Sequence, residues 1–320
     1  MKLKAHRREM SVAIAIAALA LALAIVAPGY FDRENLSDLF LANISVLIVA
    51  LGMTLVILTG HIDISVGSTF AICSVAAGVL AKSGLPVGPM TMAVSLIGAM
   101  IGSVNGALVA FVRIPSIVVT LATMVALRDA LRWQTQGAWI QNLPANFQWL
   151  GFTQTTYPFA SLSFIIVLVI LLGGGLRHTA AGRAVYATGS NAEGARLAGF
   201  NIPRVMFSVF ALTGLLTGFA AVLNSVRFNQ IPSNTGIGLE MKVIAAVVVG
   251  GTAITGGVGT ITGTTLGVVL LGEIGPGLTF LGVSAYWERA IQGGIILIAV
   301  VIDAVRAHSE KYARVATGRA

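Results

Sequence analysis

The chain has 320 residues, 56% of them hydrophobic and only 10% charged, with a formal net charge of +8. A soluble domain carries about a quarter charged residues, so this composition excludes one. The positive balance then reads as basic loops beside a membrane and not as a nucleic-acid interface.

The predicted architecture is an all-α membrane protein, a polytopic bundle of about ten transmembrane helices. Each apolar run approaches the length of about 20 residues that crosses a hydrocarbon core. The first, 10–27, follows the basic residues Lys2, Lys4, Arg7 and Arg8. It is too long for a signal-peptide core and lacks a clear cleavage site, so it reads as an uncleaved membrane helix. Further spans are expected at 43–60, 63–82, 90–111 and 115–132. The lone cysteine, Cys73, lies in an apolar run and reads as a small buried hydrophobe.

Between the second and third spans lies "LTGHIDISVGS", Leu58–Ser68. Gly60 breaks the helix, and Asp63 or Ser65 is placed to cap the next one, which Gly67 helps to open. The stretch reads as a tight turn or as a broken helix within membrane depth that lines a polar path. His61 and Asp63 offer two metal ligands with no third cluster nearby, so no metal site is expected.

The fifth span leads into a polar segment, about 133–158, that carries Trp133, Trp139 and Trp149. It is expected outside the membrane, as an interfacial aromatic belt or as a docking or gating segment. After a span at 159–176 comes a basic loop, about 177–204, with Arg177, Arg183, Arg196 and Arg204. Small residues dominate it, so any helix there suits a surface held against another protein. Glu193 and Arg196 are three apart and share one helix face, as a partner contact or as an intrahelical ion pair.

The remaining spans are expected at 204–226, 239–252, 262–281 and 287–304, before a basic tail with Arg306, Lys311, Arg314 and Arg319. Placing the three basic regions inside separates them by six and then four helices. The topology closes with both termini cytoplasmic. The run "VGGTAITGGVGTITGTTLG", Val249–Gly267, is rich in turn-making glycine, with Gly250, Gly251, Gly256, Gly257 and Gly259. Its "GGVGT" echoes "ISVGS" at a separation that fits an internal repeat. Gly98–Gly102–Gly106, Gly214–Gly218 and Gly263–Gly267 form small-residue stripes for close helix packing, within one bundle or between subunits.

Polar residues at depth supply path candidates: Asn43, Thr54, Ser65, Asn105, Gln230 and Asn234. Asn43 and Asn105 serve equally as caps or helix–helix hydrogen-bonding residues. Glu273 is expected to face the path or to lie near the external rim, beside a break at Gly275–Pro276–Gly277. Glu240 reads as a first-turn acid. No phosphate-binding Gly-x4-Gly-Lys motif, His-Glu-x-x-His motif or chain of membrane acids occurs. These absences suit a transporter driven by a partner. The rivals are a partner-independent channel or secondary carrier for small polar solutes and an intramembrane enzyme. The enzyme lacks a nucleophile–base pair.

From about residue 30 to 305 the chain resembles the membrane permease subunits of bacterial ABC importers for ribose, rhamnose and related sugars, including autoinducer-2. "LTGHIDISVGS" resembles the family's Gly-x-x-Asp-Leu-Ser-Val-Gly signature, with Ile64 for leucine. "IPSIVVTLATM" (Ile114–Met124) resembles its short fifth helix. The stretch Gly182–Ile202, which contains "YATGSNAEGARLAGFNI", resembles its cytoplasmic coupling loop. "VVVGGTAITGGVGTITGTTLG" (Val247–Gly267) is similar to its second glycine-rich signature. "QGAWIQNLPANF" and "IPSNTGIGLEMKVIAA" look most like rhamnose and autoinducer-2 members. Glu273, where the family more often has an uncharged residue, and the variable His61 depart from the pattern.

The resemblance implies a single permease domain, 1–320, in the bacterial inner membrane. It pairs with a second permease subunit, as homodimer or with a similar chain. Two cytosolic ATPase domains would hold ATP and magnesium, this chain binding no cofactor, and a periplasmic sugar-binding protein would deliver solute. Asn191, Glu193, Arg196 and Gly199 are the expected ATPase contact. Transport would run by alternating access, with no catalytic residue in this chain.

Overall fold

The computed structural model describes residues 2–284 and, beyond them, 287, 290, 291, 293, 294, 296–298 and 301. The expected tenth span, 287–304, and the basic tail lie largely outside the described residues, as do the side chains of Lys2, Lys4, Arg7 and Arg8. The chain order is α1 (Lys2–Val26), α2 (Arg33–Leu58), α3 (Val66–Lys82), α4 (Val87–Ala110), α5 (Ser116–Thr135) and α6 (Tyr157–His178). Then come α7 (Ala180–Ser190), α8 (Ala192–Leu197), α9 (Ile202–Ser225), α10 (Leu239–Val249) and α11 (Ile261–Phe280). Short 3-10 turns occupy Pro28–Phe31 and Gln148–Gly151.

Among the described residues six helices, and not ten, are long and apolar enough to cross a membrane: α1, α2, α4, α6, α9 and α11. The others fall short for identifiable reasons. α3 has 17 residues, which at 1.5 Å each reach about 25 Å. α5 carries Arg128, Asp129 and Arg132 within its 20 residues. α10 has 11 residues, a reach of about 16 Å.

α2 is the central helix. From Ile44 to Leu58 every residue is buried, as expected of a helix that is apolar on all sides. α9 lies along it and also along α3 and α4. The α4–α9 crossing rests on the paired stripes. A Cβ at Gly98 would strike the Gly214 carbonyl oxygen, and one at Gly214 would strike that of Gly98. Only glycine allows the two backbones to approach this closely. α11 packs on α1, α2 and α10. It continues through Pro276 to Phe280, so the break expected at Gly275–Pro276–Gly277 does not occur. Proline removes a single donor there, and the helix carries it.

The polar segment after α5 folds back on the loop after α9. Ile140 and Ile231 exchange backbone hydrogen bonds of 3.0 and 2.9 Å, and Trp149 N donates to Val226 O at 2.9 Å. Ser233 Oγ donates to Gly137 O at 3.0 Å. The two loops form one clamped layer at that end of the bundle.

Candidate functional site

The first break begins at Gly60, whose φ of +82° suits glycine. Asp63 is buried and its Oδ1 accepts from Ser65 N at 2.9 Å and Ser65 Oγ at 2.6 Å. Neither residue caps α3 as expected. Ser65 holds the N-cap position without a side-chain cap bond, because its hydroxyl is turned to Asp63. That hydroxyl accepts in turn from Asn105 Nδ2 at 2.8 Å, and Asn105 Oδ1 accepts from Thr123 Oγ1 at 2.7 Å. A buried polar chain therefore runs from the break through α4 to α5. Ser116 Oγ also accepts from Ile62 N at 3.4 Å and lies 3.3 Å from His61 Nδ1. Side chains thus supply the partners that non-helical backbone needs inside an apolar bundle.

The second element of the site is the start of α10. A Cβ at Gly67, in the first turn of α3, would meet Glu240 Oε2 and the Gly236 carbonyl oxygen. Gly67 is thus required by the approach of another chain segment, and the first turns of α3 and α10 meet at it. Arg128 Nη1 holds the neighbouring loop by donating to Thr235 O at 2.8 Å. Two helix N-termini, each with a positive dipole end, converge on Asp63, Ser65, Asn105, Arg128 and Glu240. Broken helices whose ends meet inside a bundle form binding sites for polar solutes. Donors and acceptors abound here.

The two glycine-rich stretches meet at the other end of the break. Gly257 N donates to Leu58 O at 2.9 Å, and Gly256 lies against Gly60. α7 closes over this junction. Gly189 abuts Leu58 O, Ser190 abuts Gly257, and Tyr186 Oη donates to Gly259 O at 2.8 Å. Burial pushes the Tyr186 phenol above its usual range. Gly250 ends α10 and lies against Gly263, with Gly251 next in a left-handed turn.

Of the residues expected to meet a partner, Asn191 is engaged locally. Its Oδ1 accepts from Gly194 N at 3.0 Å as the cap of α8. Glu193 and Arg196 form a two-bond ion pair of 3.0 and 2.6 Å, exposed on both sides. The Arg196 hydrogen bond holds the Glu193 carboxyl below its usual range. Gly199 follows α8 in a left-handed conformation. α8 borders a cavity of 680 Å³ lined also by His61, Arg113, Asn201 and Met206.

The path candidates separate. Thr54 Oγ1 bonds Thr264 Oγ1 at 2.7 Å and ties α2 to α11. Asn105 bridges α3 and α5, as described. Asn43 and Glu273 line a different groove, between α2, α6 and α11. Gln230 lines a cavity of 360 Å³ in the loop after α9, and Asn234 is exposed outside it. Sequence reasoning missed Arg128, Thr123 and Tyr186. Arg128 was findable as a charge inside an apolar run, and Tyr186 as the only aromatic between Arg183 and Gly199.

A family profile described as the permease component of the branched-chain amino acid transport system matches residues 35–300. The chain belongs to that permease family. Among curated permeases it is 37% identical over 304 residues to the autoinducer 2 import system permease protein LsrC of Escherichia coli O157:H7, covering 91% of this chain and 89% of that protein. It is 36% identical over 305 residues to the LsrC of Enterobacter sp. (strain 638), with 95% and 88% covered. The LsrC of Yersinia pseudotuberculosis is 36% identical over 280 residues, with 87% and 80% covered. No solved structure matches the permease chain.

Proposed function

We propose that the chain is the membrane permease subunit of an ATP-binding-cassette importer for a small sugar-like solute of the autoinducer-2 kind. The observation that carries this reading is the seat of α7. One short polar helix touches Leu58, Gly257 and Gly259, and so touches both broken crossings at once. Movement imposed on α7–α8 by a cytosolic ATPase would reach the polar cluster where α3 and α10 begin. Alternating access follows if that cluster faces each side in turn. The solute class comes from the relatives, which are autoinducer-2 import permeases matched over most of their length.

In this reading α3, α5, α10 and the segment 287–304 complete ten crossings in the bacterial inner membrane, with both termini cytoplasmic. α10 supplies about half of its crossing, and the turns of Gly250–Thr260 return the chain beside Gly263 at the end covered by α7. The α7–α8 unit, with Glu193, Arg196 and Gly199, faces the ATPase. A second permease subunit and a periplasmic binding protein complete the assembly.

The test is uptake into proteoliposomes. The complex with its ATPase and binding protein should accumulate labelled autoinducer-2 in preference to ribose and rhamnose, and only with ATP. Uptake by the permease alone would support the self-sufficient carrier instead.

A further inference from the structure

A groove of 470 Å³ opens between α2, α6 and α11. Its walls are apolar, with Leu162, Ile166 and Ile170 of α6 exposed along it. Its polar lining is Tyr30, Asn43, Glu273 and Thr265, whose hydroxyl already donates to Ile261 O at 3.0 Å. Tyr30 is 2% exposed, and Tyr30 Oη, Asn43 Oδ1 and Glu273 Oε2 are buried with no hydrogen-bond partner among the described residues. Asn43 already uses its amide nitrogen, donating to Leu39 O at 2.9 Å, so its free atom only accepts. A carboxylate oxygen also only accepts.

The groove therefore presents unfilled acceptors, the Glu273 carboxyl among them, a Tyr30 hydroxyl that both donates and accepts, and a long apolar wall. Its complement is an ammonium, which brings three N–H donors and a positive charge, attached to a hydrocarbon chain. A quaternary choline has the charge but no N–H. We propose that this groove binds an ethanolamine phospholipid, with its ammonium on Tyr30, Asn43 and Glu273 and an acyl chain along α2 and α6. The site is separate from the transport reading, and neither needs the other.

The test is native mass spectrometry of the detergent-solubilised chain, titrated with dioleoyl phosphatidylethanolamine or dioleoyl phosphatidylcholine. Wild type should retain the ethanolamine lipid about tenfold better, the effect of one charge-assisted hydrogen bond. Glu273→Gln should remove that preference with an unchanged melting temperature. Ile166→Trp, which fills the groove from its open side, should reduce retention of both lipids and covers the case in which Glu273→Gln misfolds. Equal retention of the two lipids by wild type would overturn the proposal. So would an unchanged preference in Glu273→Gln, or a photo-crosslinker at Leu162 that captures a second copy of the chain or residues beyond Ser284 in place of lipid.

Discussion

Asn105 joins three helices through one side chain, because its amide donates to Ser65 and its carbonyl accepts from Thr123. Replacing it with leucine removes both bonds, which leaves the Thr123 hydroxyl without its acceptor and the Ser65 hydroxyl with Asp63 alone. The expected cost is about 1–2 kcal/mol, the upper range for hydrogen bonds between membrane helices, read as a lower melting temperature in detergent. Tyr186→Phe keeps the ring and removes only the bond to Gly259 O. It should leave insertion and yield unchanged. Solute-stimulated ATPase activity of the complex should fall about fivefold or more, the scale of a lost coupling contact. Full stimulation in this variant would assign Tyr186 a packing role only. Asn43 and Asn105 show what the sequence withholds at this scale. Polarity at depth marks a residue as important, but its partner is set by helices distant in the chain.

Long apolar elements were legible. The span expected at 90–111 is α4, Val87–Ala110, and that expected at 204–226 is α9, Ile202–Ser225. Their Gly98 and Gly214 stripes were readable as packing faces, though not as facing one another. Gly214→Val should destabilise the chain by about 1–3 kcal/mol through overpacking, seen as reduced yield and melting temperature. Gly174→Val, where a Cβ meets open space, is the control and should change neither. The element expected at 239–252 is a helix from Leu239 as expected, but it is too short to span. Hydropathy sees "VIAAVVVGGTAI" as a continuous apolar run, but only 11 residues of α10 are helical before the glycines. Pro276 misled in the opposite sense, since a proline's lost donor is tolerable inside a packed membrane helix.

At the scale of the molecule, apolar runs and the spacing of basic segments were enough for the class and for a topology. With Cys73→Ala as background, Ala198→Cys should react with an impermeant maleimide only from the cytoplasmic face, and Thr155→Cys only from the other. Labelling of both from one face would overturn the ten-crossing arrangement. The convergence of α3 and α10 was not legible, because it depends on how two loops separated by more than 150 residues fold back into the bundle. Composition marked both stretches as unusual, and no local pattern said that they touch.

The Leu58 carbonyl accepts from Gly257 while α7 bears on both. The two glycine-rich breaks are therefore fastened together at one point. If the chain transports as proposed, a pull on α7 that shifts one break draws its counterpart along in the same stroke.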